Sequence, residues 1–366
     1  MSSTDHAPTN GHVPADRPGR RSGSDVTRDG LRNIRPDRDA LVGVNAGAPR
    51  RERRRRDPQS MVPDATFASY YGRPVLNPPT WAPLDIAGYL FLGGLAGSSS
   101  ALAAVAAFRG RRRLATRLEL GAAGAIGLSL VALVHDLGRP ARFVNMLRVL
   151  KPTSPMSVGS WLLSLYAPAA FGTAAAAVLG GRLRLLRRLG PVARAGAAVT
   201  GPAVAAYTAV LIADTAVPAW HEGHAELPFV FVGSAASAGG GLGLLTAPVA
   251  EAGPARRVGV AGGAVELAAS RLMRRRMGLP AEAFEQGRAG ALMKASEALT
   301  VAGVAGAVAG RRSRVVSALS GACLLAGSAC QRFGIFHAGV QSAEDPRYTV
   351  EPQRERAGAA AAPGPG

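Results

Sequence analysis

The sequence predicts an all-α integral membrane protein: a bundle of eight transmembrane helices that follows a disordered N-terminal tail. Composition is the first reason, because 48% of the 366 residues are hydrophobic and only 18% are charged, whereas soluble chains carry about 25% charged residues. The second reason is distribution, since the charges form clusters that are separated by long apolar stretches. The shortage of surface charge argues against a soluble enzyme, and two cysteines are too few for a secreted disulfide scaffold.

Eight apolar stretches supply the predicted helices. They cover approximately residues 84–108, 115–136, 158–180, 194–217, 227–250, 257–273, 291–310 and 314–333. A bilayer core requires about 20 helical residues, and most of the stretches fit that length. The sixth stretch is short and contains Glu266, so it is expected to tilt little or to be partly re-entrant. Gly, Ala and Ser are frequent in all of them, and small residues let helices approach closely in lipid.

Two polar tails flank the predicted membrane domain, which covers residues 67–350. Residues 1–66 hold 13 Arg and 9 Asp or Glu without apolar periodicity, and such a segment buries too little apolar surface to fold. We therefore predict a disordered Arg-rich tail there. Residues 351–366 are predicted to form a second, loose tail at the C-terminus.

An even number of spans places both ends of the bundle on one side of the membrane, which we call the terminal side. The turns on the opposite side contain many arginines but no His or Trp. The polar and aromatic residues of the terminal side are Asn77, Trp81, Asp85, His135, Asp136, Arg139, Ser157, Trp161, Asp214, Trp220, His221, Glu222, His224 and His337. The sequence therefore predicts that the chemistry takes place at the terminal side.

Acidic residues within or at the edges of the spans are the strongest single candidates, because ionisable groups near the hydrocarbon are costly and tend to be functional. Asp136 and Asp214 are predicted to be functional. Glu266 and Glu297 are instead predicted to pair with arginines and to hold helices together. Tryptophans such as Trp81 also occur in interfacial belts that bind no ligand.

No redox centre is predicted in this chain. Cys323 and Cys330 lie two turns apart on one helix and there is no CxxC motif, so an iron–sulfur cluster is not expected. A haem between helices needs two facing histidines, and the available pair, His135 and His337, lies at helix ends. Any electrons must therefore arrive from another chain.

Three segments carry a family resemblance: SYYGRPVLNPPTWAPLDIAGYLFLGGLAG, HDLGRPARFVNMLRVLKPTSPMSVGSW and ADTAVPAWHE. They resemble the NrfD / polysulfide reductase membrane-subunit family, and the similarity extends over residues 67–350. The resemblance implies an eight-helix bundle without haem, located in the cell membrane. It also implies a [4Fe–4S] iron–sulfur subunit and a molybdopterin oxidoreductase as partners, of the formate dehydrogenase or polysulfide reductase type. The remaining contacts are expected with membrane lipid, and none with nucleic acid.

The resemblance further implies a quinone site, with menaquinone as the expected bound substrate. Family sites lie near the start of the first helix and the ends of the second and fourth helices. Carried onto this chain, the quinone-binding or proton-relay residues are Asn77, Tyr89, His135, Asp136, Arg139, Tyr207 and Asp214. Residues expected to support them are Asp85, Ser157, Trp161, Trp220 and His221. An imidazole changes charge near neutral pH, so His135 is expected to hydrogen-bond a quinone oxygen while Asp136 orients it or relays protons.

Two other functions remain open from the sequence. Intramembrane acids and Gly-rich helices also suit a small-molecule or ion transporter, although the two halves show no repeat. A purely structural membrane anchor is the other alternative. The orientation is also open: fifteen arginines in the turns opposite the terminal side, against ten Arg or Lys in those of the terminal side, favour an outward-facing site, whereas the basic tail favours the reverse.

Overall fold

Helices account for the architecture of the described residues, 75–138 and 140–361, in the computed structural model, and no β-strand occurs among them. The helices are α1 (Pro83–Phe108), α2 (Arg112–Asp136), α3 (Pro140–Met146), α4 (Pro155–Leu179), α5 (Arg184–Ala213), α6 (Pro218–His221), α7 (Leu227–Thr246), α8 (Gly253–Arg276), α9 (Gly287–Ala309), α10 (Arg314–Glu344) and α11 (Arg347–Ala361). A 3₁₀ helix, Leu279–Phe284, lies between α8 and α9. The predicted tail of residues 1–66 lies outside the described residues.

Six of these helices are long and apolar enough to cross a membrane: α1, α2, α4, α5, α7 and α9. The prediction of an all-α, multi-pass membrane protein is therefore confirmed, with six of the eight predicted spans meeting the criterion among the described residues. Helices α8 and α10 are also long, with 24 and 31 residues, but they are not among these six. The sixth apolar stretch is not short in the structure, because the helix continues through the basic residues at both its ends.

The long helices form two four-membered rings. Helices α1, α2, α4 and α5 pack around one interior, and α7, α8, α9 and α10 pack around another. Helix α1 joins the rings through its contacts with α7 and α10, and α5 also touches α7. Each ring encloses a small cleft with charged and hydroxyl side chains in its wall and room for about one water molecule.

Glycines permit the close helix packing that the small-residue composition predicts. Gly97 of α1 and Gly201 of α5 face each other so closely that a Cβ on either would collide with the other's carbonyl oxygen. A Cβ on Gly240 of α7 would likewise collide with the backbone of Gly259 of α8. Backbone contact of this kind is the main source of helix association in lipid, where no hydrophobic force drives it.

Hydrogen bonds from arginines connect the turns at the end of the bundle opposite the terminal side. Arg111 Nη1 donates to the carbonyl oxygen of Ala250 at 2.6 Å, and Arg314 Nη1 donates to that of Leu244 at 2.7 Å. The turns after α1, α7 and α9 therefore lie together, as alternating spans require.

A buried ion pair crosses the first ring between α2 and α5. Arg194 Nε donates to Glu119 Oε1 at 2.6 Å, and the Glu119 side chain is only 2% exposed. Beside it, the hydroxyl groups of Ser100 and Tyr166 are 2.9 Å apart. Ser100, Glu119 and Arg194 line the cleft of the first ring.

Replacing Arg194 with alanine is expected to lower the free energy of unfolding by about 3–5 kcal/mol, because it leaves Glu119 buried and charged without a partner. Thermal unfolding in detergent measures the change. Arg271→Ala is the control, since Glu297 keeps Arg274 as a second partner, and it is expected to cost less than about 1 kcal/mol. Equal losses in the two variants would contradict this role of the pair.

The C-terminal segment differs from the predicted loose tail of residues 351–366. Helix α11 (Arg347–Ala361) runs through the first eleven of these residues. Alanine has the highest helix propensity of all residues, and the alanines among residues 357–361 favour the last turns of this helix. Arg347 holds its start in place, because Nη2 donates to Glu282 Oε2 at 2.9 Å.

Candidate functional site

An Asp–His pair lies at the terminal side, where α1 begins and α2 ends. His135 Nδ1 and Asp85 Oδ2 are 2.8 Å apart, with side chains that are 78% and 16% exposed. Antiparallel packing of α1 and α2 brings the first turn of one beside the last turn of the other. An acid in a first turn and a histidine in a last turn both interact favourably with the helix dipoles.

Asp136 adds a second carboxyl group beside this pair, close enough to Asp85 for their charges to interact. An ionised carboxylate only accepts hydrogen bonds, so His135 donates through Nδ1 to Asp85. This tautomer leaves Nε2 to bond a substrate or to exchange a proton. The three side chains together can orient an imidazole and move protons through it.

Two tryptophans join the ends of the two rings at this side. The rings of Trp81 and Trp220 stack with their centroids 5.9 Å apart and an interplanar angle of 13°. Trp220 is fully buried, and its Nε1 donates to the carbonyl oxygen of Ile335 at 2.8 Å. The start of α1, the short helix α6 and the end of α10 thus meet at the terminal side, which makes Trp220 a structural anchor near the site.

Ser157 and Trp161 fix the segment between α3 and α4. Ser157 Oγ donates to the carbonyl oxygen of Val149 at 3.0 Å, and Trp161 Nε1 lies 3.4 Å from the same oxygen. The backbone N–H of Lys151 donates in turn to Ser157 Oγ at 3.0 Å. In the structure, Ser157 and Trp161 therefore stabilise the loop after α3.

The two predicted tyrosines lie deeper than the Asp–His pair. Tyr89 is 3% exposed and sits one turn after Asp85, on the same face of α1. Tyr207 packs its ring so closely against Gly159 of α4 that a Cβ there would collide with it. Tyr207 also lies two turns inside the bundle from Asp214 at the end of α5.

The other predicted residues are dispersed. Asn77 is exposed in the segment before α1, and Asp214 is exposed after α5. His221 is exposed and its carbonyl oxygen lies 2.8 Å from His224 Nδ1. Arg139 falls outside the described residues. The structure thus places Asp85, His135 and Asp136 together. The side chains of Asn77, Asp214 and His221 take no part in the hydrogen bond of this group.

Charged groups inside the second ring divide into paired and unpaired ones. Glu297 accepts from Arg271 Nη2 at 2.5 Å and from Arg274 Nη2 at 3.4 Å, in agreement with the predicted pairing. Glu266 is 1% exposed, yet neither carboxyl oxygen has a hydrogen-bond partner among the described residues. Arg332, equally buried, was not singled out from the sequence, although a charge within the eighth apolar stretch was the available signal.

The fold and the site define a class: a multi-pass helical membrane protein whose polar and aromatic groups collect at one end of the bundle. Comparison with protein families makes this classification more specific. The model described as "Polysulphide reductase, NrfD" matches residues 76–256. Over that segment, which includes the Asp–His pair and Trp220, the chain belongs to the NrfD family, and the resemblance predicted from the sequence is confirmed. A comparison with curated proteins finds no match.

Members of the NrfD family are membrane subunits of molybdoenzyme complexes that are linked to the quinone pool. They typically partner with iron–sulfur and molybdopterin subunits.

Proposed function

We propose that this chain is the quinone-reactive membrane subunit of a multi-subunit oxidoreductase in the cell membrane. The observation that carries the proposal is the Asp85–His135 hydrogen bond of 2.8 Å with Asp136 beside it. It lies at the terminal side, within the segment that matches the NrfD family.

The three side chains supply what quinone chemistry requires of a protein. Reduction of a quinone to a quinol takes up two electrons and two protons at its two oxygen atoms. When protonated, His135 donates through Nε2 to one quinone oxygen, and Asp85 stabilises the positive charge of the imidazolium before the proton is transferred and after the imidazole is protonated again. Asp136 passes protons between His135 and water. Exposed apolar groups nearby, such as Leu84 and Trp81, favour contact with a ring and its isoprenoid tail.

The electrons come from a partner. An iron–sulfur subunit with a [4Fe–4S] cluster would dock on the terminal side and cover the exposed imidazole of His135, with a molybdopterin catalytic subunit behind it. A formate dehydrogenase or polysulfide reductase type complex, with menaquinone as the quinone, is the form we propose. The exposed apolar side chains at this end, among them Val149, Met156 and Trp161, are suited to such an interface.

We also propose that α8 and α10 cross the membrane, which gives eight spans. Their lengths correspond to about 36 Å and about 46 Å of helix, enough for a bilayer core. Their charged residues Glu266 and Arg332 are buried inside the ring and do not face lipid. Composition alone underestimates such helices, because it counts inward-facing charges as though they met the hydrocarbon.

Photolabelling with an azidoquinone tests the proposed site in membranes that contain the whole complex. Labelled peptides are expected from the start of α1 and the end of α2, and excess menaquinone should suppress the labelling. His135→Ala should lower it by about tenfold, the loss of one good hydrogen bond to a ligand. His224→Ala is the matched control, because His224 is an exposed histidine at the same end that bonds only to the adjacent turn.

Two outcomes would redirect the assignment. Absence of competed label in an assembled, partner-containing complex would point to a structural anchor. Competed label confined to α8–α10 would remove the quinone site from His135.

A further inference from the structure

Unsatisfied polar groups concentrate at one place inside the second ring. Both oxygens of Glu266 lack hydrogen-bond partners among the described residues, as do Nε and Nη1 of Arg332. The hydroxyl groups of Ser237 and Thr300, one helical turn away beside Gly263, are also unpartnered. Buried polar atoms are nearly always satisfied by protein or by ordered water, so ordered water, together with Ser234 and Ser296 beside Glu266, is what would satisfy this cluster.

A small cleft between α8, α9 and α10 extends from Glu266 towards the terminal side. Glu266 lies at its inner end, and Arg274 and Glu297 line its outer end. Glu266 is ten residues from the end of α8, which corresponds to a depth of about 15 Å. Arg274 and Glu297 have partly exposed side chains, so this end of the cleft is the one that solvent can reach.

Hydrogen-bonding side chains line the cleft between its two ends. Ser296 Oγ donates to Gln331 Oε1 at 3.0 Å, and Gln331 Nε2 donates to Ser270 Oγ at 3.0 Å. The chain joins α9, α10 and α8 and supplies donors and acceptors along the wall. Water in a cavity needs two to four such partners, and these side chains provide them.

Arg332 lies near Glu266, so its positive charge lowers the cost of ionising the Glu266 carboxyl group, which can then be either neutral or charged. The guanidinium group is held by a 2.7 Å hydrogen bond from Nη2 to the carbonyl oxygen of Phe231 and by that residue's ring, 3.6 Å away. Its charge interacts with Glu266, but no guanidinium nitrogen of Arg332 lies within 4 Å of a Glu266 carboxyl oxygen, so the two side chains do not form a direct ion pair. A charged carboxylate at this depth is costly, and the nearby Arg332 offsets part of that cost.

The other groups that face Glu266 limit what can bind there. Helix α7 contributes Ser234, α9 contributes Ser296 and the already paired Glu297, and α8 itself contributes Arg274. Two arginines repel a metal cation, and the cleft has room for little more than one water molecule. Water and protons are the species that fit.

We propose that Glu266 is a proton-binding site, separate from the Asp85–His135 pair, that exchanges its proton with water entering from the terminal side between Arg274 and Glu297. The step is simple proton binding: the carboxylate takes one proton from cleft water and returns it by the same route. The site would let the second ring take up and release protons near the middle of the bundle while the chemistry takes place at its surface.

Labelling with dicyclohexylcarbodiimide tests the proposal on the full chain in liposomes. The reagent adds the O–H of a protonated carboxyl group across its C=N bond and leaves an acylurea that peptide mass spectrometry locates. Glu266 is expected to be labelled at low pH, with labelling that falls about tenfold per pH unit once the group ionises. Glu297, held by two arginines, is the internal control and should stay unlabelled.

Infrared difference spectra between about pH 5 and about pH 9 provide the second measurement. The wild-type protein should show a protonated-carboxyl band that Glu266→Gln removes and that shifts within minutes in D₂O. Gln331→Leu should slow this shift while the band persists, because it removes the amide that bonds Ser296 and Ser270 in the cleft wall. An absence of label at Glu266 at every pH, or a band that Glu266→Gln leaves unchanged, would overturn the proposal, and so would a band that does not shift in D₂O.

Discussion

Replacing His135 with alanine is expected to lower quinone-linked electron transfer by about 10²- to 10⁴-fold, the usual contribution of a general acid–base group. Electron transfer within the partner, measured with an artificial acceptor, should remain unchanged. The loss should appear in kcat more than in KM, because the imidazole acts mainly when protons are transferred. The amount of protein in the membrane should stay the same, since the side chain is 78% exposed.

Neighbouring variants separate the roles in this group. Asp85→Asn keeps a side chain near His135 Nδ1 but removes the negative charge, so a smaller loss and an altered pH profile are expected. Asp136→Asn should slow proton delivery with little change in quinone affinity. Wild-type turnover in both His135→Ala and Asp136→Asn would remove these residues from the site, and His224→Ala controls for the loss of any surface histidine.

Gly97→Ala is expected to produce the largest loss of stability among single methyl additions in the first ring. The new Cβ would collide with the carbonyl group of Gly201, and two helix backbones cannot move aside as a flexible side chain can. Overpacking typically costs about 1–3 kcal/mol, and a backbone collision between α1 and α5 should reach the upper end of that range or exceed it. Thermal unfolding and monodispersity in mild detergent measure the effect.

Gly88→Ala is the matched control on the same helix, because a Cβ there meets no atom within 4 Å. It should be neutral, or slightly stabilising through helix propensity. If the two alanine variants unfold at the same temperature, the Gly97–Gly201 contact is not what holds the first ring together.

Much of the fold is predictable from the sequence because membrane spans impose a simple pattern. The apolar stretches locate the long helices, and their alternation brings Asp85, His135 and Trp220 to one side. The roles of individual side chains become clear only in the structure, because the pattern of apolar stretches does not specify them. Trp220 is a buried anchor and Ser157 shapes a loop, whereas the sequence places both beside a quinone only through the family resemblance.

The sequence is least informative about the partners of charged residues inside the bundle. Glu119 and Arg194 are 75 residues apart, and their pairing depends on how α2 and α5 pack in the first ring. Glu266 was expected to pair with an arginine, but Arg332 is anchored to Phe231 instead. The sixth apolar stretch also understates the length of α8, because the helix continues through the basic residues at both ends of the stretch.

Purification of the native complex tests the central claim most directly. The tagged chain would be isolated from membranes in mild detergent, analysed for iron and for molybdenum or tungsten, reduced chemically, and then mixed with a menaquinone analogue while the cluster signals are followed by electron paramagnetic resonance. We predict a cluster-bearing partner whose signals are reoxidised by the quinone with wild-type chain and far more slowly with His135→Ala. A metal-free chain isolated alone from several detergents, or reoxidation that is the same in both proteins, would contradict the account.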